Sequence, residues 1–155
     1  MKFNIRLANE SDLDGLCNIR NNQDLFTGYL EQYKKQEAYL VIAEQNRIIL
    51  GFGVLKLKGS LTPKLSDLYV DVNYRGDGLG SALIRFRENI SRDLGFSEIF
   101  VSVDPIENPK MIKLISKHGY NAMSEQYLKT AIFYNPDGTT IDKTYTRIDL
   151  KKLLS

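Results

Sequence analysis

Residues 74 to 83 read YRGDGLGSAL, an arginine followed by glycines at alternate positions. Without Cβ atoms, Gly76, Gly78 and Gly80 can take conformations closed to other residues and let a ligand come close to the main chain. The stretch follows the apolar-rich run LSDLYVDV (65 to 72) and leads into a helical pattern, so the glycines stand where a strand hands over to a helix. Helix N-termini leave amides unpaired and carry partial positive charge, so an oxyanion there meets several donors at once. Arg75 adds a planar cationic fork. The competing reading is a tight turn with glycines placed for packing, although a turn asks for one or two glycines and no preceding arginine. The G-x-G-x-G spacing is not the G-x-G-x-x-G of dinucleotide binding, and no Lys-Ser/Thr pair follows as in a P-loop.

Few other residues offer chemistry. Asp67 and Asp71 alternate with Leu68, Val70 and Val72, which puts the two carboxylates on the opposite face of a strand. There they can attract an ammonium or relay its proton through water, or they are simply solvated strand residues. Asp67 is the single catalytic nomination. Cys17 is the only cysteine and falls on an apolar helical stripe, which suits a core residue better than a nucleophile. With His118 the only histidine, no Cys/His spacing matches a metal cluster, and no metal is expected.

Composition bounds the rest. At 155 residues, 43% apolar and 26% charged, the chain has the profile of one folded domain. A net charge of +2, with basic residues scattered singly or in pairs, argues against a nucleic-acid partner. The longest apolar run, IILGFGVL at 48 to 55, is far short of a membrane span. MKFNIRLANE carries charges and no apolar signal region, so a cytoplasmic location is expected, without membrane association.

The elements that must hold the glycine joint follow from periodicity. Phe3, Ile5 and Leu7 alternate as a first strand does; Leu13, Leu16, Cys17 and Arg20, then Phe26, Tyr29, Leu30 and Tyr33, give two helices, the first capped by Asn9 or Ser11. AYLVIAE (38 to 44) and RIILGFGVLKL (47 to 57) predict a hairpin turning at Gln45-Asn46, and LSDLYVDV the next strand. From Gly78 a helix places Leu79, Ala82, Leu83, Phe86, Ile90 and Leu94 on one face and Arg85, Arg87, Glu88, Arg92 and Asp93 opposite, ending at Gly95. IFVSV (99 to 103) is a strand, Asn108-Pro109 opens a helix that Gly119 closes, and NPDG (135 to 138) joins strands near 126 to 134 and 139 to 149. The order describes a mixed α/β sheet, not a doubly wound parallel one.

Arg75, Gly78 and Gly80 fit the pattern Arg/Gln-x-x-Gly-x-Gly/Ala, and here the chain resembles the GNAT superfamily of acetyl-CoA-dependent N-acyltransferases. LYVDVNYRGDGLGSALI is similar to the wider form of that motif, with Val72 where proline is frequent. NPKMIKLISKHGY (108 to 120) is similar to a second family block, closed here by Gly119-Tyr120. The likeness covers 65 to 120 well and agrees with the element order before it; the last 35 residues match only as a hairpin. It implies a single domain over residues 1–155 with the GNAT-like fold, a central, mostly antiparallel sheet flanked by about four helices.

The resemblance also implies roles. Amides of Arg75, Gly76, Asp77, Gly78, Leu79, Gly80 and Ser81 would hold the pyrophosphate of coenzyme A. Leu68, Tyr69 and Val70 would lie beside the thioester, where a backbone N–H can bind the carbonyl oxygen as it gains charge. Asn108 would touch the cofactor, or else serve as a plain cap before Pro109. Two departures stand out: Ile115 occupies the place of the tyrosine that often protonates the departing thiolate, and Ser102 the place of a frequent glutamate. A thiolate with a pKa of about 8.5 leaves tolerably without an acid, whose loss typically costs about 10² to 10⁴ in rate. Without a strong base, an α-amine, roughly a tenth neutral at pH 7, is an easier acceptor than lysine, neutral in roughly one molecule in 2,500.

The activity implied is acetyl transfer from acetyl-CoA to a primary amine of a small molecule or peptide, by direct attack on the thioester. A non-catalytic acyl-CoA sensor shares the glycine joint and is favoured by Ile115 and Ser102; a cofactor-free interaction domain is the third class. Family members often pair, so a homodimer is compatible with the resemblance, though no residue demands one.

Overall fold

Hydrophobic periodicity and turn chemistry together account for most of the elements. The computed structural model describes residues 2–134 and 137–155. Its chain falls into two units, Met1–Phe100 with Leu153–Ser155, and Val101–Lys152.

The first unit opens with strand β1 (Asn4–Leu7) and a 3₁₀ turn that runs into helix α1 (Leu13–Ile19). Asn9 and Asp12 form a reciprocal cap: the Ser11 amide donates to Asn9 Oδ1 (3.0 Å) and the Asn9 amide to Asp12 Oδ2 (2.8 Å). Helix α2 (Gln23–Lys34) is capped by Asn22, whose Oδ1 accepts from the Leu25 amide. Strands β2 (Ala38–Gln45) and β3 (Ile48–Lys56) form the expected hairpin, but its two-residue turn is Asn46-Arg47, with φ of 52° and 66°. A turn of this length with the twist of the flanking strands needs positive φ at both central positions, which fixes the turn one residue later than Gln45-Asn46.

Strand β4 (Lys64–Val70) completes an antiparallel order β1-β2-β3-β4. It stops two residues short of its expected end, because Asp71 accepts from the Asn73 amide (2.9 Å) and turns Val72–Tyr74 into a 3₁₀ loop. Helix α3 (Leu79–Asp93) follows. On one face of the sheet α1 and α2 bury Leu16, Phe26, Leu30, Ile42, Phe52 and Val54; Phe26 meets Phe52 edge-on at 5.0 Å. On the other face Leu79 and Leu83 of α3 pack against Val41, Ala43 and Leu50.

Helix α3 is rotated relative to its expected face. Arg87 and Glu88, predicted to be solvated, are buried (1% and 2% exposed), while Leu94 is 46% exposed. The buried stripe runs Leu79, Leu83, Ile84, Arg87, Glu88 and Ser91, spaced as one helical face.

In the chain's second half come β5 (Glu98–Val103), α4 (Pro109–Lys117), β6 (Asn121–Ala122), β7 (Tyr127–Tyr134) and β8 (Thr140–Leu153). Strand β7 pairs antiparallel with β8, as does the short β6, which periodicity could not reveal in two residues. Asn135 and Pro136 of the predicted NPDG turn lie outside the described residues. Pro109 is the first residue of α4, and Gly119 closes it at φ 91° as expected. The fold is mixed α/β, with four α-helices among the described residues and every ladder of described register antiparallel. Among the described residues no helix is long and apolar enough to cross a membrane.

Candidate functional site

Between β4 and α3 the chain turns through residues 71 to 78, and both glycines there have a conformational reason to be glycine. Gly76 and Gly78 adopt φ of 89° and 87°, the left-handed region that a Cβ disfavours. Gly80 has already entered α3 and takes no such angle. Gly78 is the residue before the helix; no side chain caps it, and the first turn contains no acidic residue. By helix geometry the amides of Leu79 and Gly80 have no intrahelical acceptor, and no acidic side chain of the first turn faces the positive end of the helix dipole. No atom lies within 4 Å of a Cβ built on Gly76 or Gly78. Residues 75 to 78 are exposed, whereas Leu79, the first residue of the helix, is 1% exposed in the core. Burying Leu79 contributes about 2 kcal/mol, more than the about 0.3–1 kcal/mol an anion gains from a helix dipole. Packing alone thus sets the position of this helix end before any ligand arrives.

Arg75 is held by its own strand end. Its Nε donates to the Val70 carbonyl (2.8 Å) and its guanidinium lies 5.4 Å from the centre of the Tyr69 ring. These contacts close the 70–75 loop onto the end of β4 and leave Nη1 and Nη2 without a hydrogen bond among the described residues. Asp71, one of the two strand carboxylates, is occupied as the cap of the 3₁₀ loop.

Asp67 sits on a β-bulge that the sequence reading did not foresee. Gly53 pairs with Leu68 and Val54 with Ser66, so Asp67 is the extra residue, at φ 30°. Its carboxylate accepts a hydrogen bond from the Tyr29 hydroxyl of α2. Burial, then the bond to the Asp67 carboxylate, push the Tyr29 phenol well above its ordinary pKa, so it stays protonated and remains a donor. The bulge is also where Arg87 reaches the sheet: its Nη1 donates to the carbonyls of Val54 (2.9 Å) and Ser66 (3.1 Å). Gly53 leaves room for it, since a Cβ there would lie 2.7 Å from Arg87 Cζ. The signal was present in the run GFG, because glycine inside a strand marks a bulge or a close approach.

Leu68, Tyr69 and Val70 are half-buried on β4 beside this bulge. Leu68 and Val70 pack toward α3, and Tyr69 stacks on Phe52 at 6.1 Å on the α1/α2 face. Tyr33 points elsewhere, into an open groove of about 700 Å³ with Tyr39, Leu57 and Phe96.

The remaining sequence candidates belong to the second unit. Asn108 precedes α4 but makes no side-chain capping bond; Asp104 holds the loop instead, accepting at Oδ1 from the amides of Ile106 and Glu107 (both 2.9 Å). Ile115 is 1% exposed. Ser102 and Tyr127 both donate to Asp149 Oδ1 at 2.7 Å, a cluster that sequence spacing could not connect across 47 residues.

The site thus combines a helix end without a side-chain cap, approached through left-handed glycines, with a bulged strand in a mixed and largely antiparallel α/β sheet. A profile of the acetyltransferase (GNAT) family matches residues 9–120, and the chain belongs to that family. No curated protein matches the sequence. Its fold is similar to that of an N-acetyltransferase from Staphylococcus aureus Mu50 (19% identity, both chains covered in full, TM-score 0.76). It is similar also to the ribosomal-protein-S18-alanine N-acetyltransferase of Escherichia coli (17%, 99% of this chain and 95% of that one, 0.74). A third similar structure is a phosphinothricin acetyltransferase from Sinorhizobium meliloti in complex with acetyl-CoA (18%, 100% and 90%, 0.73).

Proposed function

We propose that residues 1–155 act as one acetyl-CoA-dependent N-acetyltransferase domain that acetylates a primary amine. The observation that carries this is the exposed end of α3, where Gly76 and Gly78 hold left-handed conformations and the N-cap residue offers no side-chain cap. That donor set suits a diphosphate. The amides from Arg75 to Ser81 would hold it, with the free nitrogens of Arg75 alongside and the exposed Asp77 contributing main chain only. Acetyl-CoA, when bound, supplies an acetyl thioester open to direct attack by a neutral amine.

The chain's own part in the reaction is binding, orientation and handling of one proton. Main-chain amides of Leu68, Tyr69 and Val70 on β4 would orient the acyl arm, and an N–H at the bulge would meet the carbonyl oxygen as charge develops. Asp67, held by Tyr29, would attract the ammonium form of the acceptor and take its proton through water. Tyr29, kept protonated, fixes that carboxylate and does not compete as a base. With Ile115 buried in the place of an acid, the thiolate would leave unassisted.

The test is titration of the protein with coenzyme A, then release of free thiol from acetyl-CoA over a panel of amines that includes α-amines and lysine side chains. Micromolar binding with turnover, faster on α-amines at pH 7, is the expected result. Binding without turnover on any acceptor would indicate an acyl-CoA sensor; no binding would remove the cofactor altogether.

A further inference from the structure

We propose that Arg87 is a positioning residue: from inside the core it holds the β4 bulge in shape and thereby aims the Asp67 amide and carboxylate. The inference rests on the acetyl-transfer reading for its kinetic consequence, but not for its structural one.

Burying a guanidinium is costly unless its hydrogen bonds are satisfied, and an apolar side chain would fill the same space on α3 more cheaply. Arg87 nevertheless lies 1% exposed, with Nε on the Leu83 carbonyl of its own helix (3.0 Å) and Nη1 on the carbonyls of Val54 and Ser66. Val54 and Ser66 are partners in the β3–β4 ladder and border its register break. In a regular ladder a carbonyl is met by an amide of the next strand, and a bulge withdraws that partner. Arg87 brings in a donor from the helix at this place. The fork also explains Gly53, whose missing Cβ is the space the guanidinium fills.

The link to the site is the Ser66–Asp67 peptide. In a trans peptide the N–H runs antiparallel to the C=O. A cation on the Ser66 oxygen therefore points the Asp67 N–H away from Arg87 and polarises it as a donor. The same peptide sets the Asp67 φ of 30°, a conformation that a non-glycine residue keeps only where its surroundings enforce it. Arg87 grips one side of this residue through the backbone, and Tyr29 grips the other through the carboxylate.

Arg87→Lys tests this, because an ammonium on a flexible stem cannot reproduce a fork that bridges two strands and its own helix. In the ligand-free protein the amide resonances of Asp67 and Leu68 should move while those of residues 76 to 81 stay. Affinity for coenzyme A should change by less than about threefold, and kcat should fall at least about tenfold, a fraction of the about 10²–10³ lost with a whole oxyanion donor. Gly53→Ala, which pushes the same guanidinium from the strand side, should displace the same two amides. In the unsubstituted protein the Arg87 side-chain N–H groups should exchange slowly with solvent. Unmoved Asp67 and Leu68 amides in a folded variant, or fast exchange of the Arg87 N–H groups, would overturn the proposal, as would an unchanged kcat. A wild-type protein that binds coenzyme A and acetylates no amine would instead sink the acetyl-transfer reading, with the amide shifts still reporting on Arg87.

Discussion

Replacing Gly78 by alanine separates what the glycine does for the fold from what it does for a ligand. At φ 87° an alanine pays the left-handed penalty of about 1–2 kcal/mol, but with no atom within 4 Å of the new Cβ there is no clash to add. For a chain of 155 residues, at roughly 2–4 °C per kcal/mol, Tm should drop by about 2–8 °C. Binding should suffer more. If the turn relaxes from φ 87° and one main-chain N–H no longer reaches the diphosphate, a charge-assisted bond worth about 1.5–3 kcal/mol is lost, or roughly ten- to hundredfold in Kd. Gly78→Asn sharpens the contrast, because asparagine tolerates the left-handed region and should lower Tm less while still placing a side chain in the approach path. Calorimetric titration with coenzyme A beside thermal unfolding reads both quantities. A folded Gly78→Ala protein that keeps its affinity within threefold would refute the assignment of this helix end as the diphosphate site.

Other expectations are sharper in sign than in size. Asp67→Asn should lower kcat/KM by about 10², and Tyr29→Phe by less, since the carboxylate survives without its clamp; equal thiol-release rates for wild type and Asp67→Asn would remove Asp67 from the reaction. Gly51→Ala and Gly28→Ala should act in opposite directions. A Cβ on Gly51 lies 2.8 Å from the Tyr69 carbonyl and forces two strands apart, costing about 1–3 kcal/mol, whereas Gly28 sits in α2 with nothing within 4 Å and should gain up to about 1 kcal/mol in chemical denaturation. Arg6 joins Asp12 (2.8 Å) and Glu44 (2.8 Å) and holds both carboxyls below their usual range. Since these folded-state values lie below the unfolded ones, the stabilisation is full above an unfolded pKa of about 4 and is lost as pH falls through the folded values. Arg6→Gln should therefore flatten the acid limb of a stability–pH curve, and an unaltered limb would contradict the pairing.

Elements whose signal is local were legible in the sequence. The apolar stripes of α1 and α2, the closing glycines of α3 and α4, and the strand-to-helix glycine joint all depend on neighbours within a few residues. Asp71 shows how a local competitor shortens a strand that its apolar content extends: its carboxylate meets the Asn73 amide before the ladder can continue. What stayed hidden depends on which strand lies under which helix. Periodicity assigns Arg87 and Glu88 to the solvent face because they are charged, and only the register break at Asp67 gives the arginine a reason to point inward. The Ser102, Tyr127 and Asp149 cluster is of the same kind, assembled by strands far apart in the chain.

The glycines of β3 and those before α3 answer different needs, though a sequence reads both as gaps in a pattern. Gly76 and Gly78 are required by their own dihedral angles, so any L side chain strains them wherever it points. Gly51 and Gly53 take no left-handed angle and are required by what lies opposite, a Tyr69 carbonyl in one case and the Arg87 guanidinium in the other. A single helix meets both sets. Its first turn presents amides at the loop glycines, and two turns later its Arg87 sets the bulge through Gly53. Because Leu79 and Leu83 pack that helix on β2 and β3, the spacing between the proposed diphosphate-binding end and the bulge is set by helical geometry, not by a loop. A ligand that is held at one point and reacts at another needs such a fixed span, and packing provides it in the free protein.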